Sequence, residues 1–527
     1  MFRFLLDKLK FLKAFTAAKS SNGEPRDEAL EKSLSRNTAK LKEILGESPD
    51  IIYRTVTISH QALTARALLI FIDGLTDKTV INENILKPLM TDLEPDPKTK
   101  GADARGMLGM IRDKILFVGG VEQNKALPDL VDAVLSGDSV LLVDGMKEAL
   151  IISTRGWEKR SLTEPESEVI VKGPRSGFVE TMRTNTALLR RIVKDPGLTL
   201  DVVRVGRRTK TDVCIAYIKG IIRESLVDEI KRRLRGIDTD AVLAAGFIEQ
   251  FIEDEPLSIF PTMGFTERPD VTASRILEGR AAIFVDGTPV VNIVPTLLVE
   301  NFQSPDDYNF RPIYATMFRW FRYIAFVLSF IAPAIYVAVT NYHQEIIPTP
   351  LLITMAAATE GTPVPAVVEV IGMGFIFEVL REAGVRIPRP LGQAVSIMGA
   401  LVISQATVAA GLVGAPVVIL TAFTAIAAFT VPKLIEVGAI LRFTLTLLAG
   451  FLGGYGILAG LIFTFIHLAS LRSFGVSYLA PVLPFIPADL KDVAVRAPLW
   501  TMLTRPAALR TPDPQRQDFD LMVNKEE

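Results

Sequence analysis

ALLIFIDGLTDKTVINENILKPL, residues 67–89, and VCIAYIKGIIRESLVDEIKRRL, residues 213–234, share one pattern. Each opens on a run of β-branched and aromatic residues, turns at a glycine, and continues as an amphipathic helix. A second pair lies downstream: LPDLVDAVLSGDSVLLVDGMKEALII (127–152) and RPDVTASRILEGRAAIFVDGTPVVNIV (268–294). Each reads as a short helix, a glycine stop, a strand, an Asp-Gly turn and a second strand. The Asp-Gly pairs Asp144-Gly145 and Asp286-Gly287 predict tight hairpins, because glycine accepts the positive φ such turns require. They carry turn chemistry rather than catalytic carboxylates. The offsets between the pairs nearly agree, which predicts a duplication. The expected fold is α/β, two related lobes at 50–165 and 200–310, each a small mixed sheet covered by helices.

Between the lobes, residues 166–199 predict a connecting helix, capped by Ser176 or Gly177 and ending before Asp195-Pro196-Gly197. Its Arg183, Arg190 and Arg191 fit either an interface with carboxylates or a solvated face. Residues 1–49 read as a polar, amphipathic lead. Phe4, Leu5, Leu9 and Leu12 alternate with Lys8, Lys10 and Lys13, which suits either an anionic membrane surface or a docking helix. The lead has no continuous apolar core of a signal peptide.

Composition changes sharply downstream. Between Trp320 and Ser470 only 12 of 151 residues are charged, against 22% in the whole chain. Five apolar stretches there approach the roughly 20 helical residues that cross a bilayer core: Tyr323–Thr340, Ile346–Ala383, Leu391–Val413, Ala415–Val431 and Ala439–Ser470. Residues 319–488 are therefore expected to form a bundle of about five transmembrane helices with broken or re-entrant segments. Arg319 and Arg322 precede the first span, whereas 341–350 has no Lys or Arg, so the lobes are expected on the cytoplasmic side. Five crossings would put the basic C-terminal residues outside. SFGVSYLAPVLPFIPADL (473–490) is expected to re-enter or cross back, and 489–527 to be a cytosolic, basic, disordered tail.

Within that half, AAATEGTPVPAVVEVIGMGFIFEVLREAGVRIPRP (356–390) is the most informative segment. Pro363 and Pro365 break a helix where Glu360 precedes, and Glu369 lies inside the apolar run. An intramembrane carboxylate is expensive, so Glu369 is expected either to face a water path or to be bonded at a helix contact. Glu378 is expected to pair with Arg381 or Arg389. In a ring of subunits, Thr362, Val364, Val367 and Val368 would form a constriction, with Glu369 as a cation-attracting ring. The second choice for a pore is Gln393, Ser396, Ser404 and Gln405.

Other chemistries find no support. The chain has 58 Lys and Arg against 59 Asp and Glu, which gives no footprint for nucleic acid. Three scattered histidines offer no metal site, and the one cysteine, Cys214, permits no internal disulfide and reads as a core residue. No phosphate loop, dinucleotide fingerprint, zinc-protease helix or nucleophile elbow occurs, so neither an enzyme nor a cofactor is expected.

Five blocks then carry a resemblance: FIDGLTDKTVINENILKPLM (71–90), KGPRSGFVETMRTNTALLRRIVKDPGL (172–198), LVENFQSPDDY (298–308), FEVLREAGVRIPRPLGQAVSIMGALVISQATVAAGLV (377–413) and FGVSYLAPVLPFIPADLKDV (474–493). Together they resemble the A subunits of spore germinant receptors, the GerA family. The resemblance implies a nutrient receptor in the inner membrane of a bacterial endospore, with its lobes on the core side. It also implies a transporter-like, germinant-binding B subunit, a lipoprotein C subunit and A subunits oligomerised into a ligand-gated ion channel. Membrane stage-V sporulation proteins share the pattern. A secondary transporter is the rival from another class, since broken helices and an intramembrane acid are also its signature.

Overall fold

The computed structural model describes residues 29–60, 63–90, 108–156, 165, 168, 170–386, 402 and 404–517. They fall into two compact units, Met1–Lys159 with Val193–Gly197, and Arg160–Ile192 with Leu198–Glu527. The first holds one α/β lobe. The second holds the other lobe, the apolar helices and the C-terminal segment.

In the first lobe, α1 (Leu34–Leu45) precedes the hairpin β1 (Ile51–His60) and β2 (Leu63–Ile72); then come β3 (Val121–Asn124), α2 (Leu127–Leu135), β4 (Ser139–Val143) and β5 (Ala149–Ile152). The sheet order is β1-β2-β4-β5-β3. The second lobe repeats it: α3 (Met182–Ile192), β6 (Leu198–Val205), β7 (Thr211–Ile218), α4 (Glu224–Arg235), α5 (Ala245–Ile252), β8 (Gly264–Thr266), α6 (Pro269–Leu277), β9 (Ala281–Val285) and β10 (Val291–Val294). Its order is β6-β7-β9-β10-β8. Every ladder is antiparallel, so the mixed sheets expected from sequence are not formed. The reason lies in the crossovers: after β2 the chain traverses helices and enters β4 from α2 against the direction of β2.

The duplication is deeper than its sequence trace. Gly145 and Gly287 sit at φ +84° and +90° with open space where a Cβ would lie, so backbone conformation alone requires glycine there. Asp144 Oδ1 accepts the Leu34 amide at 3.1 Å and Asp286 Oδ1 accepts the Met182 amide at 3.0 Å. Each turn aspartate thus satisfies an otherwise orphaned donor at the start of its lobe's first helix. Asn37 bridges both backbone groups of Glu31, and Asn185 bridges those of Val179, six residues back in each case. The supposed lead from Leu34 and the supposed connecting helix are therefore equivalent first helices of two lobes. The connecting helix starts at Met182, later than a cap at Ser176 or Gly177 would place it. Both cores are aliphatic, Leu69, Ile85, Ile111 and Leu141 in one, Ile215, Ile230, Ile248 and Ile283 in the other. Cys214 is buried in β7.

Beyond the second lobe run α7 (Pro312–Asn341), α8 (Thr349–Thr359), α9 (Ala366–Arg386), α10 (Ala415–Ala428), α11 (Ile435–Leu452) and α12 (Gly454–Ser470). Two described segments, Pro312–Asn341 and Pro432–Leu452, are helical, long and apolar enough to cross a membrane; α8, α10 and α12 are shorter apolar helices. Their directions follow from close approaches. α7 leaves the lobe, and just past its far end Tyr342 Oη donates to Gly450 O at 2.7 Å. α11 leaves the lobe too, its foot held by Lys433 Nζ on Phe265 O at 3.1 Å. α9 runs back beside it, Val367 against Gly450 and Gly374 against Phe443.

The run Ala439–Ser470, expected as one stretch, is an antiparallel pair. The chain reverses at Gly453 (φ +59°), and Gly456 and Gly460 face Leu448 and Leu445. A Cβ at Gly456 would stand 2.2 Å from Leu448 O, so only glycine permits that closeness. α12 returns to the lobe, where the His467 ring meets Ser258 Oγ at 2.9 Å.

The stretch expected to be single thus supplies two helices. The segment after α12 neither re-enters nor hangs free; it docks on the second lobe. Ser473 Oγ accepts the Thr296 amide (2.9 Å), Leu298 N donates to Tyr478 O (2.9 Å), and Gln303 Nε2 donates to Asp492 O (2.9 Å). Arg505 is buried and donates to Leu277 O at 2.8 Å. Residues 489–517 are thus ordered, contrary to the expected tail; 518–527 and 1–28 lie outside the described residues. Reporters fused after Asn309 and after Gln517 should report the same side of the membrane, and one at Tyr342 the opposite side. A C-terminal reporter opposite to the one at Asn309 would refute this docking.

Candidate functional site

The break expected at Gly361–Pro365 is present between α8 and α9. Proline removes two donors here, and Thr362 closes the turn, its amide and Oγ1 both donating to Thr359 O at 3.1 and 2.8 Å. A second break, Gly411–Gly414, packs on the first. A Cβ at Gly414 would lie 2.9 Å from Thr359 Cγ2, and one at Gly411 would lie 3.5 Å from Gly361 O.

Glu369 bridges these breaks. It is 4% exposed, and its Oε2 accepts the Gly414 amide at 3.0 Å. Gly414 is the residue ahead of α10, so the carboxylate satisfies an orphan donor at that helix's positive end. Glu369 thus makes a hydrogen bond where α9 meets the head of α10. Val367 also turns inward, filling the notch at Gly450, where a Cβ would come 2.8 Å from its Cγ2.

The remaining candidates lie outward. Glu360, Pro363, Val364, Pro365 and Val368 are exposed, and Thr362 is half-buried. Val368, Gly372, Phe375 and Val379 form a stripe at helical spacing exposed on one face of α9, and Val364, in the break ahead of the helix, is exposed as well. Of the second-choice set, Gln393 and Ser396 lie outside the described residues, as does most of their span. Ser404 and Gln405 sit on a short helical stretch that ends at Ala409, half-buried and exposed respectively.

Glu378 pairs with Arg381 at 2.5 Å as expected, and also with Arg442. Arg442 is buried in the middle of α11, where an unpaired charge would be costly and Glu378 neutralises it.

A larger cluster at the foot of α7 was not anticipated. Asp307, 1% exposed, accepts Arg319 Nε and Nη2 at 3.2 and 3.1 Å and Arg322 Nη1 at 2.9 Å. Asp492 accepts Arg319 Nη1 at 3.1 Å and the Tyr308 hydroxyl at 2.8 Å. Arg496 donates to the carbonyls of Asp307 and Tyr308, both at 3.0 Å, and lies over the Tyr308 ring. Burial pushes the Asp492 carboxyl above its usual range, more than its partner Arg319 pulls it down. Beside it, burial alone would raise Glu278, yet Arg280, Arg275 and Arg516 hold its carboxyl low. The available signal was SPDDY just ahead of two arginines, but the partners Asp492 and Arg496 are some 180 residues away. Among the described residues no cluster of His, Cys, Asp and Glu is arranged to hold a metal.

These features describe a helical bundle with paired breaks, locked by ion pairs to a duplicated α/β lobe. The profile of the family described as Bacillus/Clostridium GerA spore germination protein matches residues 39–508. The chain belongs to that family. It is 44% identical to spore germination protein KA of Bacillus subtilis (strain 168) over 93% of this chain and 89% of that protein. It is 37% identical to spore germination protein GerLA of Bacillus cereus (92% and 97%) and 31% identical to stage V sporulation protein AF of Bacillus subtilis (92% and 97%). Among solved structures, the N-terminal domain of the A subunit of the Bacillus megaterium spore germinant receptor GerK3 is 38% identical, covering 51% of this chain and 98% of that one, with a TM-score of 0.41.

Proposed function

We propose that this chain is the A subunit of a nutrient germinant receptor, embedded in the spore inner membrane with its lobes on the core side. In this reading it assembles with further copies of itself, with a transporter-like B subunit that binds the germinant, and with a lipoprotein C subunit. The oligomer forms or gates an ion path that opens to trigger germination. Family membership from residue 39 to 508 supports the receptor role. The channel role rests on one observation, the exposed apolar stripe Val368, Gly372, Phe375 and Val379 beside a proline break that also exposes Val364. Broken backbone at membrane depth is tolerated only where protein or a water-filled path covers it. In a ring of subunits that stripe lines the axis, with Glu360 at its mouth, while Glu369 braces the bundle from inside.

A secondary transporter is less well supported, because the recognised duplication lies in the α/β lobes. The identity to a stage V sporulation protein, 31% against 44% for spore germination protein KA, keeps a related sporulation role as the second reading. Spores lacking this chain should fail to release monovalent cations in response to one class of nutrient while responding normally to others. Unchanged release across a broad nutrient panel would refute the receptor assignment.

A further inference from the structure

A cavity of about 510 Å³ opens where α12 meets the second lobe. Three arginines line it, Arg223 from the start of α4, Arg472 two residues past α12, and Arg510 from the C-terminal segment. No Asp or Glu lines it, and among the described residues none of the three guanidinium groups meets a carboxylate. Arg223 is half-buried, and Arg472 and Arg510 are exposed at the mouth. Three like charges facing one cavity with no acid among them make a positive concavity that attracts an anion. Arg510 is held in the left-handed region (φ +51°), an uncommon state for a residue with a side chain.

The walls between the arginines are apolar, with Leu471, Leu483, Pro484 and Ile486. Above the cavity, Ile462 and Ile466 stand exposed on α12 at a spacing that leads to Ala469 on the rim. Leu483 and Phe485 are exposed beside it. A neighbouring cavity of about 550 Å³ shares Arg223 and Arg472 but contains Glu229, Asp254 and Glu255. Glu229 and Asp254 already bind Arg233 at 2.7 and 2.5 Å. An anion therefore belongs in the first cavity, not the second.

We propose that this basin binds the phosphate of an acidic phospholipid, with the three arginines around the headgroup and an acyl chain along the outer face of α12. Arginine suits the task because its planar fork reaches two phosphate oxygens at once. The position fits as well, since the basin lies at the lobe-proximal end of the bundle, where lipid headgroups of the core-side leaflet would stand. The proposal rests on the membrane placement above.

The test uses the full chain purified in detergent, with thermal unfolding followed against added phosphatidylglycerol, phosphatidylcholine or inorganic phosphate. Phosphatidylglycerol should raise the unfolding temperature in the wild type, and phosphatidylcholine should not. The triple variant R223Q/R472Q/R510Q should require roughly a hundredfold more phosphatidylglycerol, and the exposed single variant R472Q about fivefold more. The single variant decides the matter if the triple one does not fold. Equal responses of wild type and variants would overturn the site while leaving the membrane placement intact. Equal protection by inorganic phosphate, dependent on the same arginines, would overturn the lipid and leave only an anion site. Recovery of the wild-type chain in the soluble fraction would refute the membrane placement itself.

Discussion

Replacing Asp307 with alanine should leave the chain unable to accumulate in the membrane. Asp307 is 1% exposed and neutralises both Arg319, fully buried, and Arg322. Its loss leaves Arg319 with Asp492 alone and Arg322 with the Phe302 carbonyl alone. Removing one partner of a buried ion pair costs about 3–5 kcal/mol, because the other charge stays in a medium that cannot solvate it. A domain stable by about 5–15 kcal/mol loses a large share of its margin. The cost should fall when the partner charges go as well: D307A with R319M, R322M and D492N should recover much of the lost unfolding temperature. Neutral replacements at all four positions leave no stranded charge, Asp492 being the other carboxylate on Arg319. Protein level in the membrane fraction and thermal unfolding in detergent check both. A single D307A variant that unfolds like the wild type would show that the cluster is not needed to join α7 to the lobe.

That cluster also marks how far the sequence could be read. Features set by neighbours in sequence were legible: the Asp-Gly turns, the break at Pro363 and Pro365, the pairing of Glu378 with Arg381 one turn away. Each depends on φ preferences or on helical spacing, which act over a few residues. What was missed depends on pairings across the chain. Arg319 and Arg322 read as topology signals because positive charge beside an apolar run is one, and nothing local shows that Asp492 will return to them. The same distance effect hid Arg442, whose partner Glu378 lies on another helix. The reversal at Gly453 was missed for a different reason: the run from Ala439 to Ser470 has no polar turn to mark it. Whether a glycine in such a run bends a helix or ends it is decided by what it packs on. Here Tyr342 presses on Gly453 and Leu448 on Gly456. Docking of 473–517 was equally hidden, since a proline-rich, charged segment has the composition of disorder until Arg505 and Arg516 find carbonyls and carboxylates on the lobe.

Under the proposed channel role, the two sides of α9 should respond differently to substitution. Val368 is 54% exposed on the outward stripe, while its neighbour Glu369 is 4% exposed and bonded to Gly414. A hydrophobic constriction blocks ions by excluding water, so V368S should admit water and raise resting cation leak at normal protein level. Lowering that barrier by about 1.4 kcal/mol would raise the leak about tenfold. Glu369 acts through structure instead. E369A strands the Gly414 amide at the head of α10 and should lower the amount of folded protein without opening the path, because a buried donor left unsatisfied costs about 1–3 kcal/mol. E369Q keeps an acceptor and should be milder on both counts. The measurements are cation flux in vesicles carrying the assembled receptor, normalised to protein level, and spontaneous germination of spores carrying each variant. Reduced flux in E369Q at full protein level would instead make Glu369 a cation-attracting group in the conduction path. It would then have to leave Gly414 in a conducting state of the proposed channel.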